Sequence, residues 1–380
     1  MGLVFGHGLA FYRGILRGIK SFAETRPDWV FAPIAPEADA VQELRPFALD
    51  GLIAHVFTAR LGRALERLGK PVVNVSGVLP DLPFPRVVVD HVQVGRAAAE
   101  HLLDRGLRRF GFVGYADHDF SLGREAGFRE VIELSGGQLT IHRARAAHLD
   151  PTGLWQWDQG LERWLGALER PIGVLASHDI QGVQVSEACR RLGLKIPDDV
   201  ALVGVDDDDL LCEMARPALS SVRLPAMRIG FEAATILDRL MARPGRPARP
   251  GAFLLAPLGV AARGSSDLLA IDDVEVAAAA RFIRAHALEP IQVRDVVAVA
   301  TVSRRSLERR FQAILGRGLW EEIRRVRMDR ARELLAGTET PIGRIAVQAG
   351  FSEAKLLSTA FRQETGMTPS EYRRRHRPTP

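Results

Sequence analysis

Cysteine is nearly missing: Cys189 and Cys212 are the only two in 380 residues. A disulfide framework is excluded, and a reducing compartment is the expectation. With no His cluster at ligand spacing beside them, they give no structural zinc site either, and no metal or cofactor is expected. No apolar run nears the ~20 residues that span a bilayer, so no membrane partner is expected. Strand-like Leu3–Phe5 begins almost at once with no basic region before it, so no leader is expected and the cytoplasm is the expected location. The signatures of common enzymes are missing too. Gly6-His7-Gly8 follows a strand, but the next glycine is Gly14, which leaves a dinucleotide fingerprint incomplete. There is no G-x-S-x-G, no Walker loop and no H-E-x-x-H, and no enzymatic activity is expected.

What is present is uneven. Lysine occurs only at 20, 70, 195 and 355, and arginine carries the remaining positive charge. Residues 270–380 hold 20 Lys plus Arg against 14 Asp plus Glu, whereas the first 269 hold 31 against 32. A near-neutral body with a basic C-terminal unit points to a nucleic-acid-binding appendage, with a solvated basic face as the plainer alternative.

The first 260 residues alternate short aliphatic runs with helical stretches. Leu3–Phe5, Gly51–His55, Val72–Val75, Val87–Val89, Phe110–Val113, Gly173–Ala176 and Val200–Val205 read as buried parallel strands. The helices between them make a doubly wound α/β arrangement, and the number of elements fits two sheets better than one. Met241–Gly251 is rich in Pro, Gly and Arg and reads as a loop; Arg263–Asp267 reads as a linker.

Beyond Ile271 the pattern becomes helical. Val274–His286 carries one apolar stripe. Val293–Phe311 and Ile342–Phe361 then repeat one design: a short helix, a tight turn, and a second helix with Leu307 and Phe311, or Leu357 and Phe361, facing inward. Ser303 and Ser352 stand where N-caps belong, and Gly350 stands at a sharp turn. Between the units, Leu319–Ala336 predicts a helix of roughly 27 Å. Such a rod could place two reading helices in successive major grooves roughly 34 Å apart. A helical bundle with no DNA role is the alternative.

Two resemblances follow from these residues. Ala298–Phe311 and Pro341–Tyr372 resemble the arabinose-regulator (AraC) family, whose pattern is matched by Ile342, Ile345, Ala346, Gly350, Phe351, Phe361, Arg362, Gly366, Thr368, Pro369, Tyr372 and Arg373. Leu357 departs from it, since an aromatic residue is usual there. The resemblance implies double-stranded operator DNA as a partner. It places base reading on Arg304, Arg305, Glu308 and Arg309 in the first unit, and on Ala354, Lys355, Ser358 and Thr359 in the second. Arg suits bidentate contact with guanine, whereas the smaller second set suits phosphate and thymine-methyl contact.

Val89–Gly114, Arg124–Phe128 and Val203–Val222 resemble the sensor domains of the lactose-repressor (LacI) family, which share the type I periplasmic-binding-protein fold of two lobes around a ligand cleft. Such a sensor joined to a C-terminal arabinose-type reader resembles the xylose-operon regulators. The resemblance implies a small-molecule effector, a sugar such as xylose, and a homodimer, with RNA polymerase as a candidate partner. Strand ends supply the effector candidates: Arg124, Asp206, Asp90, His178, Tyr12, His7 and Phe11. Asp90 also reads as an N-cap, Asp179 as a cap or hinge residue, and Trp155, Trp157 and Trp164 as packing residues. Four successive carboxylates, Asp206–Asp209, favour a neutral polyol over an anion. The expected domains are a sensor over 1–262 (lobes of about 1–106 with 224–255, and 107–222), a linker over 263–270 and a reader over 271–380. Crossings between the lobes are expected near Asp104–Arg108, near Ser220–Leu224 and after Leu255.

Overall fold

The computed structural model describes residues 1–6, 9–42, 49–79, 81–144, 158–242, 251–268, 271 and 273–376. The chain opens with β1 (Gly2–Val4), α1 (Ala10–Ala23), β2 (Ala32–Ile34), α2 (Ala38–Gln42), β3 (Leu52–Ala54), α3 (Ala59–Arg67), β4 (Val72–Asn74) and β5 (Pro85–Val89). It continues through α4 (His91–Leu103), β6 (Arg109–Tyr115), α5 (Asp119–Leu134), β7 (Gln138–Ala144), α6 (Gln159–Gly166), β8 (Ile172–Ala176), α7 (Asp179–Arg191), β9 (Val200–Val205), α8 (Asp209–Met214) and β10 (Ser220–Val222). Helix α9 (Ala226–Met241) and β11 (Gly251–Leu255) return to the first sheet, and β12 (Val260–Ala261) goes back to the second.

Two six-stranded sheets result, ordered β11-β5-β4-β3-β1-β2 and β12-β10-β9-β8-β6-β7. Every pairing is parallel except β12 with β10. Central strands such as β3, β8 and β9 are buried along their whole length, as sheets covered by helices on both faces require. The two sheets expected from the aliphatic runs, and the two α/β lobes the LacI-type resemblance implies, are therefore present.

The first lobe boundary falls elsewhere than expected. Helix α4 sends Val94, Ala98, Ala99 and Leu102 into the core of the second lobe, against Phe110, Phe112 and Phe128. The chain crosses at Asp90, between β5 and α4, and not near Asp104–Arg108. The other crossings lie between β10 and α9 and between β11 and β12.

Each lobe is braced by a helix pair in backbone contact. A Cβ on Gly127 would lie 1.9 Å from the Val92 carbonyl oxygen, and one on Gly95 2.0 Å from that of Arg124, so α4 and α5 touch directly. Gly18 and Gly230 do the same for α1 and α9 in the first lobe. The expected linker is partly sensor. Ser265, in a turn of 3₁₀ helix at Gly264–Ser266, accepts from the Ser220 N–H at 2.8 Å and donates to the Leu202 carbonyl at 2.6 Å. Trp164 packs beside Gly111 and His142. Trp155, Trp157 and most of the Met241–Gly251 loop lie outside the described residues.

The reader comprises α10 (Val274–His286), α11 (Val293–Val297), α12 (Arg304–Leu315), α13 (Leu319–Gly337), α14 (Ile342–Gln348), α15 (Ala354–Thr365) and α16 (Pro369–His376). One core gathers α10, α11, α12 and the start of α13; a second gathers the end of α13 with α14, α15 and α16. Leu357 is fully buried in the second core, so its departure from the family pattern alters packing only. Ser303 caps α12, accepting from the Ser306 N–H. Ser352 does not cap α15; Glu353 holds the N-cap position without a side-chain bond. Gly350 takes φ 79°, as its turn requires.

Candidate functional site

The cleft is built from strand ends. β9 ends at Val205, and Asp206 and Asp207 follow with φ of 112° and 54°. A non-glycine residue in this region is strained, and such strain is held where surrounding structure over-determines it. Asp179, 1% exposed, supplies that hold. Its carboxylate accepts from the Asp208 N–H at 2.8 Å and from the Ser221 hydroxyl at 2.6 Å. Burial and the nearby Asp206 push its carboxyl well up.

Asp206 faces Arg124, with a guanidinium nitrogen 3.7 Å from its carboxylate. Burial pushes the Asp206 pKa up to about 6, opposed by Arg124 and reinforced by Asp208. Arg124 is buried on α5, donates to the Ser177 carbonyl and lies 5.0 Å above the Phe120 ring. Its Nε is enclosed without a protein partner among the described residues. The other carboxylates of the expected acidic run are engaged. Asp207 pairs with Arg263 at 2.7 Å, Asp208 caps α8, and Asp209 lies 3.5 Å from Arg13. The run is thus locally balanced and repels an anion less than four free carboxylates would.

The lobes meet here. The Ala10 N–H of the first lobe donates to Asp208 of the second at 2.7 Å. Phe11 packs against the cores of both lobes. Tyr12 lies edge-on to His55, ring centroids 4.9 Å apart, and burial together with the Asp206 charge pushes its phenol up to about 12. Opposite, Tyr115, His118, Phe120 and His178 form a connected ring cluster. Burial lowers the His178 pKa to about 3, so its ring is neutral. Its Nδ1 accepts from the Gln181 N–H at 3.1 Å, which leaves the proton on Nε2 to donate to the Tyr115 hydroxyl at 3.1 Å.

The structure therefore brings Arg124, Asp206, Tyr12 and Phe11 together. It gives both His178 nitrogens protein partners, which makes His178 a positioning residue for Tyr115. Asp90 caps α4, its two oxygens accepting from the Gln93 N–H and side-chain amide, as its plainer reading held. His7 lies outside the described residues. The sequence reading missed His55, Tyr115, His118 and Phe120; His55 and His118 follow strand ends and could have been found by the rule that found Asp206.

On the reader, Arg304, Arg305 and Arg309 are exposed on α12, with Arg304 donating to Glu308 at 2.9 Å. Ala354, Lys355 and Thr359 are exposed on α15. Ser358 and Thr359 turn their hydroxyl protons back to the Ala354 and Lys355 carbonyls at 2.8 and 3.0 Å. That leaves methyl and acceptor groups facing outward. Leu356, 52% exposed on α15, is a further outward group that the sequence reading missed. Among the described residues no helix is long and apolar enough to cross a membrane, and no group of three His, Cys, Asp or Glu side chains could hold a metal ion.

Residues 99–266 match the periplasmic binding protein-like domain, and residues 296–375 match a helix-turn-helix domain. The chain thus carries a match to a periplasmic binding protein-like domain followed by a match to a helix-turn-helix domain, the order expected of the two-part arrangement. It resembles the xylose operon regulatory proteins over nearly its whole length. It is 26% identical to that of Escherichia coli K12, covering 98% of this chain and 96% of that one. The Haemophilus influenzae protein of the same name is also 26% identical, with 98% and 97% covered. The solved structure of a xylose-binding transcription activator aligns with a TM-score of 0.61 at 25% identity, covering 98% of this chain and 97% of the other.

Proposed function

We propose that this chain is a sequence-specific DNA-binding transcription regulator, without enzymatic activity, whose state is set by a small neutral sugar held between the sensor lobes. A xylose-like pentose is the favoured ligand. The observation that carries this reading is the Arg124–Asp206 pair, set against Tyr12 and His55 of the opposite lobe. The guanidinium donates to sugar oxygens, the carboxylate accepts from hydroxyls, and the aromatic rings cover C–H faces. The pair carries no net charge, which suits a neutral polyol. The xylose named in the relatives supports the same ligand class. The expected setting is the cytoplasm, acting as a homodimer on an operator, with RNA polymerase as a candidate partner.

Thermal unfolding with pentoses, hexoses, sugar phosphates and nucleosides tests the reading. A ligand at 100 times its Kd adds about 2.7 kcal/mol. Xylose or a close pentose should raise Tm, and Asp206→Ala should abolish the rise. A shift with nucleosides alone would move the reading to a non-sugar sensor; a flat panel would leave a constitutive DNA-binding protein. Affinity should also fall in acid. Hydroxyl donation needs ionised Asp206, so binding should be full above pH 7 and about tenfold weaker at pH 5, measured by calorimetry.

A further inference from the structure

The reader is attached to both lobes of the sensor. On the second lobe, Asp104 at the C-terminal end of α4 accepts from Arg317 at 2.6 Å and lies 3.2 Å from Arg325. Its backbone carbonyl accepts from Arg284 at 3.2 Å. Glu322, 1% exposed on α13, accepts from the same two arginines, Arg317 and Arg325. The Arg105 guanidinium lies behind this cluster, donating to the Ser266 and His101 carbonyls, and burial beside Arg284 and Arg325 lowers its pKa to about 9. Four guanidinia thus gather around Asp104 and Glu322. Asp104 is the carboxylate the sensor contributes to this half-buried cluster, and removing its charge would leave Arg317 and Arg325 with partners on the reader alone.

On the first lobe the contact is different. Arg228 of α9 donates to the Arg374 carbonyl of α16 at 3.2 Å. Burial raises the Tyr372 phenol of α16, and Arg332 of the reader, then Arg223 at the crossing between lobes, draw it down. Helices α10 and α13, which flank the first helix-turn-helix unit, are therefore seated on one lobe, and α16, which follows the second unit, on the other. Arg327 of α13 ties the connecting helix to the α10–α11 turn, donating to the Ala287 and Glu289 carbonyls at 2.7 and 2.9 Å.

We propose that the reader is a strap across the two lobes, seated through the Asp104–Arg317–Glu322–Arg325 cluster at one end and through Arg228 and α16 at the other, so that the angle between the lobes sets how firmly the reader is held. A change in that angle must either move the reader or break one of its two attachments. The coupling is reciprocal: whatever holds the lobes together holds the reader down, and whatever lifts the reader frees the lobes. This rests on the two-lobed effector reading only for what closes the lobes.

The test therefore closes them without a ligand. Ala10→Cys and Asp208→Cys lie at the interlobe contact, and a short bis-maleimide can join them while buried Cys189 and Cys212 stay shielded. Amide hydrogen exchange is followed in the full-length chain over 317–325 and 369–374, joined and unjoined. Joining should slow exchange in both segments by about fivefold or more, the low end of allosteric coupling. Asp104→Asn should restore fast exchange in 317–325 while the lobes stay joined, and Arg228→Ala should do so in 369–374. Equal exchange in joined and unjoined chains overturns the strap; slowing that survives Asp104→Asn removes the cluster from it. D-xylose added to the unjoined chain separates the two claims. If joining slows exchange and xylose changes neither exchange nor Tm, the sugar reading fails and the strap stands. If xylose raises Tm while neither treatment alters exchange, the strap fails and the sugar reading stands.

Discussion

The two helix-turn-helix units share one scaffold and differ in what they present. Leu307 and Phe311 are fully buried in the first, and Leu357 and Phe361 fifty residues later in the second. Each second helix ends on a left-handed glycine, Gly316 at φ 71° and Gly366 at φ 72°. The outward faces diverge. α12 shows Arg304, Arg305 and Arg309, whereas α15 shows Ala354, Lys355, Leu356 and Thr359. The inward pattern decides that a helix will sit in the groove; the outward residues decide whether it reads bases or grips the backbone. We propose that one unit specifies and the other holds.

The largest test attacks the shared scaffold. Phe311→Ala and Phe361→Ala should each cost about 3–5 kcal/mol, seen as lost exchange protection in α12 or α15. Phe361→Ala should be the worse, because Phe361 also meets Tyr372 edge-on at 5.1 Å. The next tests attack the difference. On a duplex selected by the full-length chain, Arg305→Ala or Arg309→Ala should cost about 1–3 kcal/mol and relax sequence preference at the contacted positions. Lys355→Ala should weaken binding evenly across sequences and reduce the salt slope by about one. If Lys355→Ala relaxed preference more than both arginine variants, the division of labour would be reversed. The smallest effect concerns Glu308, which is bonded to Arg304. Glu308→Gln should cost the helix only about 0.3–0.5 kcal/mol, detectable in thermal unfolding at low salt.

Much of this was legible because local patterns were strong. Val274–His286 and Val200–Val205 fall on the element bounds expected of them. Helix α4 shows the limit. Its apolar stripe fits either sheet, and a single residue, Asp90, separates it from β5 without a glycine or proline to mark the crossing. Strand β7 escaped because an edge strand such as QLTIHRA is mostly uncovered and lacks the aliphatic run of a central one. In the cleft, the LacI-type resemblance pointed to Arg124 on α5 and to Asp206 at the end of β9, but Tyr115 and Phe120 look like core aromatics until the lobes are folded together. His178 shows that the right place does not fix the role: both ring nitrogens are used before any ligand arrives.

The glycine contact between α4 and α5 bears on how this sensor could acquire another effector. The carbonyl nearest Gly95 belongs to Arg124 itself, so any side chain at that glycine would displace the cleft's central guanidinium along with its helix. Gly127 meets the Val92 carbonyl just as closely, and neither contact has a flexible side chain that could yield. A directed-evolution library aimed at new ligands would therefore waste its diversity at Gly95 and Gly127. If the proposed sugar reading holds, Tyr12, His55 and His118, bordered by other side chains, are where variation should retune selectivity while the frame stays intact.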